Sequence, residues 1–148
     1  MSINAKPSEL VAVLGTIDPD AQAAGAVTSD YVSLGDFNGV MAVVQTGILG
    51  TSATVDAVLV QATDSAGTGS KAITGKAITQ LVKATNDDDQ AILQVVSEEL
   101  DTDNGFTHVA CTLTVGTATS DVGCTLLGVN PRHAPASDND IASVVEIV

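Results

Sequence analysis

Phe106-Thr107-His108-Val109-Ala110-Cys111-Thr112-Leu113-Thr114-Val115 is the stretch that decides the fold. Val109, Cys111, Leu113 and Val115 occupy every second position, with Phe106, His108, Ala110, Thr112 and Thr114 between them. A period of two belongs to an extended strand, whose successive side chains point to opposite faces. Residues 121–129 follow after Gly116-Thr117-Ala118-Thr119-Ser120. A hairpin folded there would set Val109 opposite Leu126, Cys111 opposite Cys124 and Leu113 opposite Val122, all six on one buried face. A slip of one residue would turn one strand's set outward, so the register is well specified.

Outward from this segment the same pattern repeats. Clusters of Gly, Asn, Asp, Ser and Thr interrupt short runs rich in Val, Ile, Leu, Thr and Ala. Regularly punctuated runs of this kind predict many strands joined by turns. Strands are expected near 9–17, 30–34, 39–48, 53–63, 71–83, 90–98, 106–116, 121–129 and 141–147. Turns are expected at Asp36-Phe37-Asn38-Gly39, Ser65-Ala66-Gly67-Thr68-Gly69, Asn86-Asp87-Asp88-Asp89 and Asp103-Asn104-Gly105, residues that tolerate left-handed backbone or bond their own main chain. Segments 71–84 and 89–100 also carry helical spacing. In the first, Gly75 and the β-branched Ile73, Thr74, Ile78, Thr79, Val82 and Thr85 favour strand. The predicted fold is all-β, an antiparallel, jelly-roll-like sandwich. Its core spans 30–130, between an N-terminal arm and connector (1–29) and a C-terminal segment (131–148). No internal repeat is present.

The composition narrows the function. Of 148 residues, 45% are hydrophobic, but there is no Trp, one Tyr (Tyr31) and two Phe (Phe37, Phe106). Small aliphatic side chains must therefore fill the core, and each buries little area. Subunit contacts could bury more. The net charge is −13, and the only basic residues are Lys6, Lys71, Lys76, Lys83 and Arg132. Nucleic-acid binding needs a basic face, so it is not expected, and neither is binding to an anionic membrane. No apolar run is long enough to span a bilayer as a helix. The segment before Pro7 lacks the apolar stretch of a secretion signal, which predicts folding in a cytoplasm. Cys111 and Cys124 then read as reduced core thiols rather than a disulfide or a redox pair.

The sites that could carry chemistry each fall short. Gly67-Thr68-Gly69-Ser70-Lys71-Ala72-Ile73-Thr74-Gly75-Lys76 suggests a phosphate loop, but Ala77 stands where Ser or Thr must follow Lys76. Asp101-Thr102-Asp103-Asn104-Gly105 suggests a calcium loop, but Gly105 comes one residue early and Thr112 replaces the bidentate acid. Asp87-Asp88-Asp89 and Asp138-Asn139-Asp140 read as solvated turns. His108 and His133 belong to no catalytic motif. No catalytic, cofactor-binding or metal-ligating residue is assigned, no cofactor is expected, and the chain is not expected to be an enzyme.

Three groups of segments also carry a resemblance. They are residues 62–71 with Ala72-Ile73-Thr74-Gly75-Lys76, then Glu98-Glu99-Leu100-Asp101 with Gly105-Phe106-Thr107-His108-Val109, and finally Leu127-Gly128-Val129-Asn130-Pro131-Arg132. With them the chain resembles small β-rich head proteins of tailed bacteriophages, often encoded beside the major capsid protein. The resemblance covers roughly residues 30 to 135 as a pattern of strands and turns. It implies a virion role, as capsid decoration or as the base of a vertex spike, in a protein made in the bacterial host cytoplasm. It implies no catalytic residues.

The expected partners are copies of the chain itself and the major capsid protein or other head proteins, with no nucleic acid and no membrane. Another virion part, a tail-tube or capsid subunit, is the first alternative. A carbohydrate-binding β-sandwich module is the second, although only Tyr31, Phe37 and Phe106 could serve as sugar platforms. The apolar ends, Glu9-Leu10-Val11-Ala12-Val13-Leu14-Gly15-Thr16-Ile17 and Val144 to Val148, must pack either on their own sandwich or on a neighbour.

Overall fold

In a computed structural model, which describes residues 4–139 and 143–148, the chain folds into two antiparallel sheets facing each other. The strands in chain order are β1 (Val11–Gln22), β2 (Gly25–Thr28), β3 (Val32–Ser33), β4 (Phe37–Thr46), β5 (Thr54–Ala62), β6 (Lys71–Ala77), β7 (Leu81–Val82), β8 (Gln90–Val96), β9 (His108–Gly116) and β10 (Ser120–Pro131). Sheet A has the order β1-β10-β4-β8. Sheet B has the order β2-β9-β5-β6, with β3 also on β9 and β7 also on β5. Strand pairs therefore nest: β1 with β10, β2 and β3 with β9, β4 with β8, and β5 with β6 and β7. This is one long hairpin rolled across two sheets, the topology of a jelly roll.

The alternation read from residues 106–115 holds. Val109, Cys111, Leu113 and Val115 are buried, as are Val122, Cys124 and Leu126. The expected hairpin does not form. β9 pairs with β5, so that Cys111 lies beside Leu59, while β10 pairs with β1 and β4, so that Cys124 lies between Ile17 and Val44. The short link between Gly116 and Ser120, with Thr117 at a positive φ of 72°, carries the chain from one sheet to the other. The six side chains share the interior by facing each other across it.

The division at residue 29 also changes. Residues expected as arm and connector are strands β1 and β2, because Ala12, Leu14 and Ile17 supply core that sheet A would otherwise lack. Sheet B breaks between β2 and β3, where buried Ser29 replaces the ladder. Its N–H donates to the Cys111 carbonyl (2.9 Å), and its Oγ accepts from the Cys111 N–H (3.0 Å). The strand expected at 30–34 shrinks to β3, and that at 71–83 splits into β6 and β7. Segment 89–100 is strand as far as Val96, then short 3-10 turns. Phe37 was expected in a turn. It instead opens β4 and is 1% exposed. Its ring closes the core beneath Gly128, where a Cβ would come within 2.8 Å of Phe37 and 2.6 Å of Leu14. At the other end, Ala136 is buried in a 3-10 turn packed on β1. Of the strand expected at 141–147, residues 141 and 142 lie outside the described residues. Residues 143–148 form no strand, and Val145 and Val148 are fully exposed.

Candidate assembly surface

Both sheets bury one face. The register fixes what the other face of sheet A presents. Three cross-strand rows run from β1 to β8: Val11, Val129, Gly39, Val96; then Val13, Leu127, Met41, Gln94; then Thr16, Thr125, Val43, Ile92. Not one of these twelve positions is charged, in a chain of net charge −13. Ile92 is 60% and Val96 48% exposed. Acids stand outside the band, with Asp18, Asp20 and Asp121 past one end and Glu98 near the other. A groove of about 690 Å³ opens where β8 ends, lined by Met41, Gln94, Val96, Glu98, Val129 and Asn130 among others. An apolar centre with a charged rim is the anatomy of a protein–protein contact. At strand and residue spacings of about 4.8 and 3.4 Å, the band covers roughly 400 Å².

The sequence carries signals of this surface. Gly39-Val40-Met41-Ala42-Val43-Val44 and Leu126-Leu127-Gly128-Val129 are apolar at both parities. A strand with one wet face alternates, and a strand with two covered faces does not. The rows come from four strands distant in sequence, so no single segment displays them.

The outer face of sheet B differs. Thr28 and Thr112 join through their hydroxyls at 2.8 Å, and Gln80 Nε2 donates to Asp56 Oδ2 at 2.7 Å. The candidate chemical residues are tied up in turns beside this sheet. Lys71, from the segment resembling a phosphate loop, pairs with Asp101 and lies 4.1 Å from the Phe106 ring centroid. Lys76 pairs with Glu99 at 2.7 Å. Within Asp101–Gly105, Asp101 accepts from Asn104 Nδ2 at 2.8 Å, and Gly105 takes a φ of 82°. Asp87 accepts from Lys83 and from the Leu49 N–H, and Asp89 accepts from Asn86 Nδ2. Among the described residues no three acidic, His or Cys side chains converge as a metal site; the side chains of Asp138-Asn139-Asp140 lie outside them. His108 Nδ1 is 2.9 Å from Thr107 Oγ1 and His133 is exposed in a turn, so the two are not brought together.

These contacts set the ionisation of the acids. The Lys83 ammonium first, and then the Leu49 N–H, hold the Asp87 carboxyl below its ordinary range. Lys76 does the same for Glu99 and Lys71 for Asp101, while the Thr68 main chain holds Asp64 down. Cys111 and Cys124 are free and buried. The neighbouring Cys124 thiol, and then burial, push the Cys111 thiol well above its ordinary range. Of the aromatic rings, Phe37 is core, Phe106 lies beneath Lys71, and the Tyr31 hydroxyl donates to Ser70 Oγ at 2.6 Å.

No family model and no characterised protein sequence matches the chain. Among solved structures, it is similar to a chain of the cowpea mosaic virus empty virus-like particle, with TM-score 0.40, 10% identity and 91% of each chain covered. It is also similar to a chain of Triatoma virus, with TM-score 0.45 and 8% identity over 92% of this chain and 72% of that one. A third is TmCBM61 in complex with β-1,4-galactotriose, with TM-score 0.37 and 8% identity over 87% and 100%. These likenesses are too remote to carry function. Among the described residues no helix is long and apolar enough to cross a membrane.

Proposed function

We propose that this chain is a virion structural subunit, a capsid decoration or vertex-spike component, that assembles with copies of itself and with the major capsid protein or other head proteins. The uncharged outer face of sheet A carries the reading. Acidic chains of this net charge repel one another at most approaches. They can pack closely only where neither presents a carboxylate, and the twelve-position band is such a place. The resemblance in residues 62–76, 98–109 and 127–132 supports a phage head as the setting. In this reading the protein performs no catalysis, and the tied acids and lysines hold turns in place.

The test compares the two faces. Leu127→Asp with Met41→Asp puts carboxylates at the centre of the band, and Thr114→Asp puts one on sheet B. Sedimentation of the purified protein, and binding to empty heads, should be lost in the first variant and kept in the second. Assembly by the sheet A variant at wild-type concentrations would overturn the reading. Rings or tubes formed without heads would favour the tail-tube alternative.

A further inference from the structure

The band's roughly 400 Å² is half of the about 800 Å² that each partner commonly contributes to a stable interface. Further contact must come from elsewhere, and the sheet edges are the places to look.

Three of the four edges are guarded. β1 has Pro19 and two register shifts. β2 and β3 are short and interrupted by Ser29. β6 carries Lys71 and Lys76, holds Gly75 at a φ of 77°, and shifts register against β5. Bulges, prolines, lysines and brevity are the usual devices that stop an edge from pairing. β8, Gln-Ala-Ile-Leu-Gln-Val-Val, has none of them, and it pairs with β4 in unbroken register from Gln90 to Val96.

The direction of its main chain follows from two bonds. The Asp89 carbonyl accepts from the Thr46 N–H, toward β4, and the Val96 N–H donates to Glu99 Oε2, away from it. Main-chain groups of alternate residues point the same way. Gln90, Ile92 and Gln94 therefore turn their N–H and C=O groups to the open side, where the described residues supply no partner. All three residues are exposed.

The same molecule holds a segment suited to a strand but paired with none in its own sheets. Ser143-Val144-Val145-Glu146-Ile147-Val148 is rich in β-branched residues, and Val145, Ile147 and Val148 are 98%, 51% and 104% exposed. It follows a turn anchored by Ala136 on β1, at the far edge of sheet A from β8. Six extended residues span about 20 Å, enough to cover the open groups of Gln90 through Gln94. Its single acid, Glu146, meets no carboxylate on β8.

We infer that residues 143–148 of one copy add as a strand to the β8 edge of a second copy, extending sheet A across the contact. This rests on the self-assembly proposed above and names the segment that completes it. Main-chain bonds would supply affinity, and Val145 and Ile147 would continue an apolar row beside Ile92 and Val96.

Deleting residues 143–148 removes exposed groups and the half-buried Val144, and a thermal melt checks that the domain stays folded. The deletion should raise the concentration at which subunits dissociate at least tenfold. A synthetic peptide of residues 139–148, added to the shortened chain, should slow amide exchange at Gln90, Ile92 and Gln94. Two results overturn the inference: assembly of the shortened chain as in the full one, or a peptide that protects no β8 amide. A third is protection of those amides in a full-length chain that sediments as a monomer, since the strand would then return to its own sheet. Loss of assembly by Leu127→Asp alongside normal assembly of the deletion refutes this inference and leaves the self-assembly reading standing.

Discussion

Sheet A and sheet B enclose the same interior but turn different outer faces to their surroundings. Sheet A is made of four strands, three of them ten or more residues long and the fourth in unbroken register with β4, and its outer rows are Val, Leu, Met, Ile, Thr, Gln and Gly39. Two of sheet B's positions are filled by broken strands, β2 with β3 and β6 with β7. Its exposed side is closed by threonine hydroxyls, a Gln–Asp bond and lysine–carboxylate pairs at its ends. Water satisfies the polar groups of sheet B at no cost. It gains nothing from Met41, Leu127, Val43 or Val129, whose burial is worth about 25 cal/mol for each Å² removed from water. The difference teaches that the acidic charge of the chain is placed rather than spread. It is excluded from one face, and that face is where a second molecule can approach.

The largest expected effect separates the two faces of sheet A itself. Leu126 and Leu127 are adjacent on β10, the first 0% exposed in the core and the second on the outer band. Leu126→Ala should cost about 2–5 kcal/mol, the usual range for a leucine truncated in a packed interior. Leu127→Ala, at a half-buried position outside the core, should cost the dissociated chain about 1 kcal/mol or less, yet weaken assembly. Urea unfolding below the association concentration measures both. Equal costs would mean that a segment of the same chain covers the band, and the comparison between sheets would fail.

Much of this arrangement was legible in the sequence, for definable reasons. Alternation at Val109, Cys111, Leu113 and Val115 gave the strand and its buried face, because side-chain period is a local property. Pairing is not local. Val109 opposite Leu126 satisfied the same buried face as the real partners do, so hydrophobic pattern alone could not tell a hairpin from a crossing between sheets. The low-complexity stretch from Asp18 to Ser29 looked like a connector because Ala, Gly and Asp are poor strand formers. Its strand character comes from pairing with the ends of β10 and β9, as at Ala21 with Asp121 and Val27 with Leu113. Phe37 was hidden by its neighbours: Asp36 and Asn38-Gly39 signal a turn, and the bend runs over residues 34–36 instead. The assembly band went unread because it is the sum of four strands.

A smaller effect tests the other outer face. Thr112→Val removes the hydroxyl that meets Thr28 and keeps the β-branched shape suited to a strand. An intramolecular hydrogen bond contributes about 0.5–1.5 kcal/mol net, and solvent can replace this exposed one. The variant should lose less than about 1 kcal/mol by urea unfolding. It should also assemble as the native chain does. A loss of assembly would show that sheet B is a contact surface too, and the contrast between the faces would have to be abandoned.

The smallest effect is a dependence on pH, and its sign follows from the turns around sheet B. Asp64, Asp87 and Asp101 titrate below their ordinary value of 3.8, and Glu99 below 4.5, because main-chain N–H groups and lysines hold the charged forms. A carboxyl whose pKa is depressed by folding binds protons more readily in the unfolded chain. Its contribution is complete above the unfolded value and is lost as pH falls through the folded one. The melting temperature of the dissociated chain should therefore change little on this account between pH 7 and 5 and fall below about pH 4. Glu99 is exposed and the other three are only half-buried, so screening keeps the loss small. Asp64→Asn removes one contributor and should flatten the acid side of the curve. The band on sheet A holds no titrating group, so in the same acid range it gains only from weaker repulsion between copies. Assembly should then persist or strengthen from pH 7 to 5 while the melt stays level. Assembly that weakens over that interval would place a titrating group in the contact and would break the separation of charged from uncharged faces.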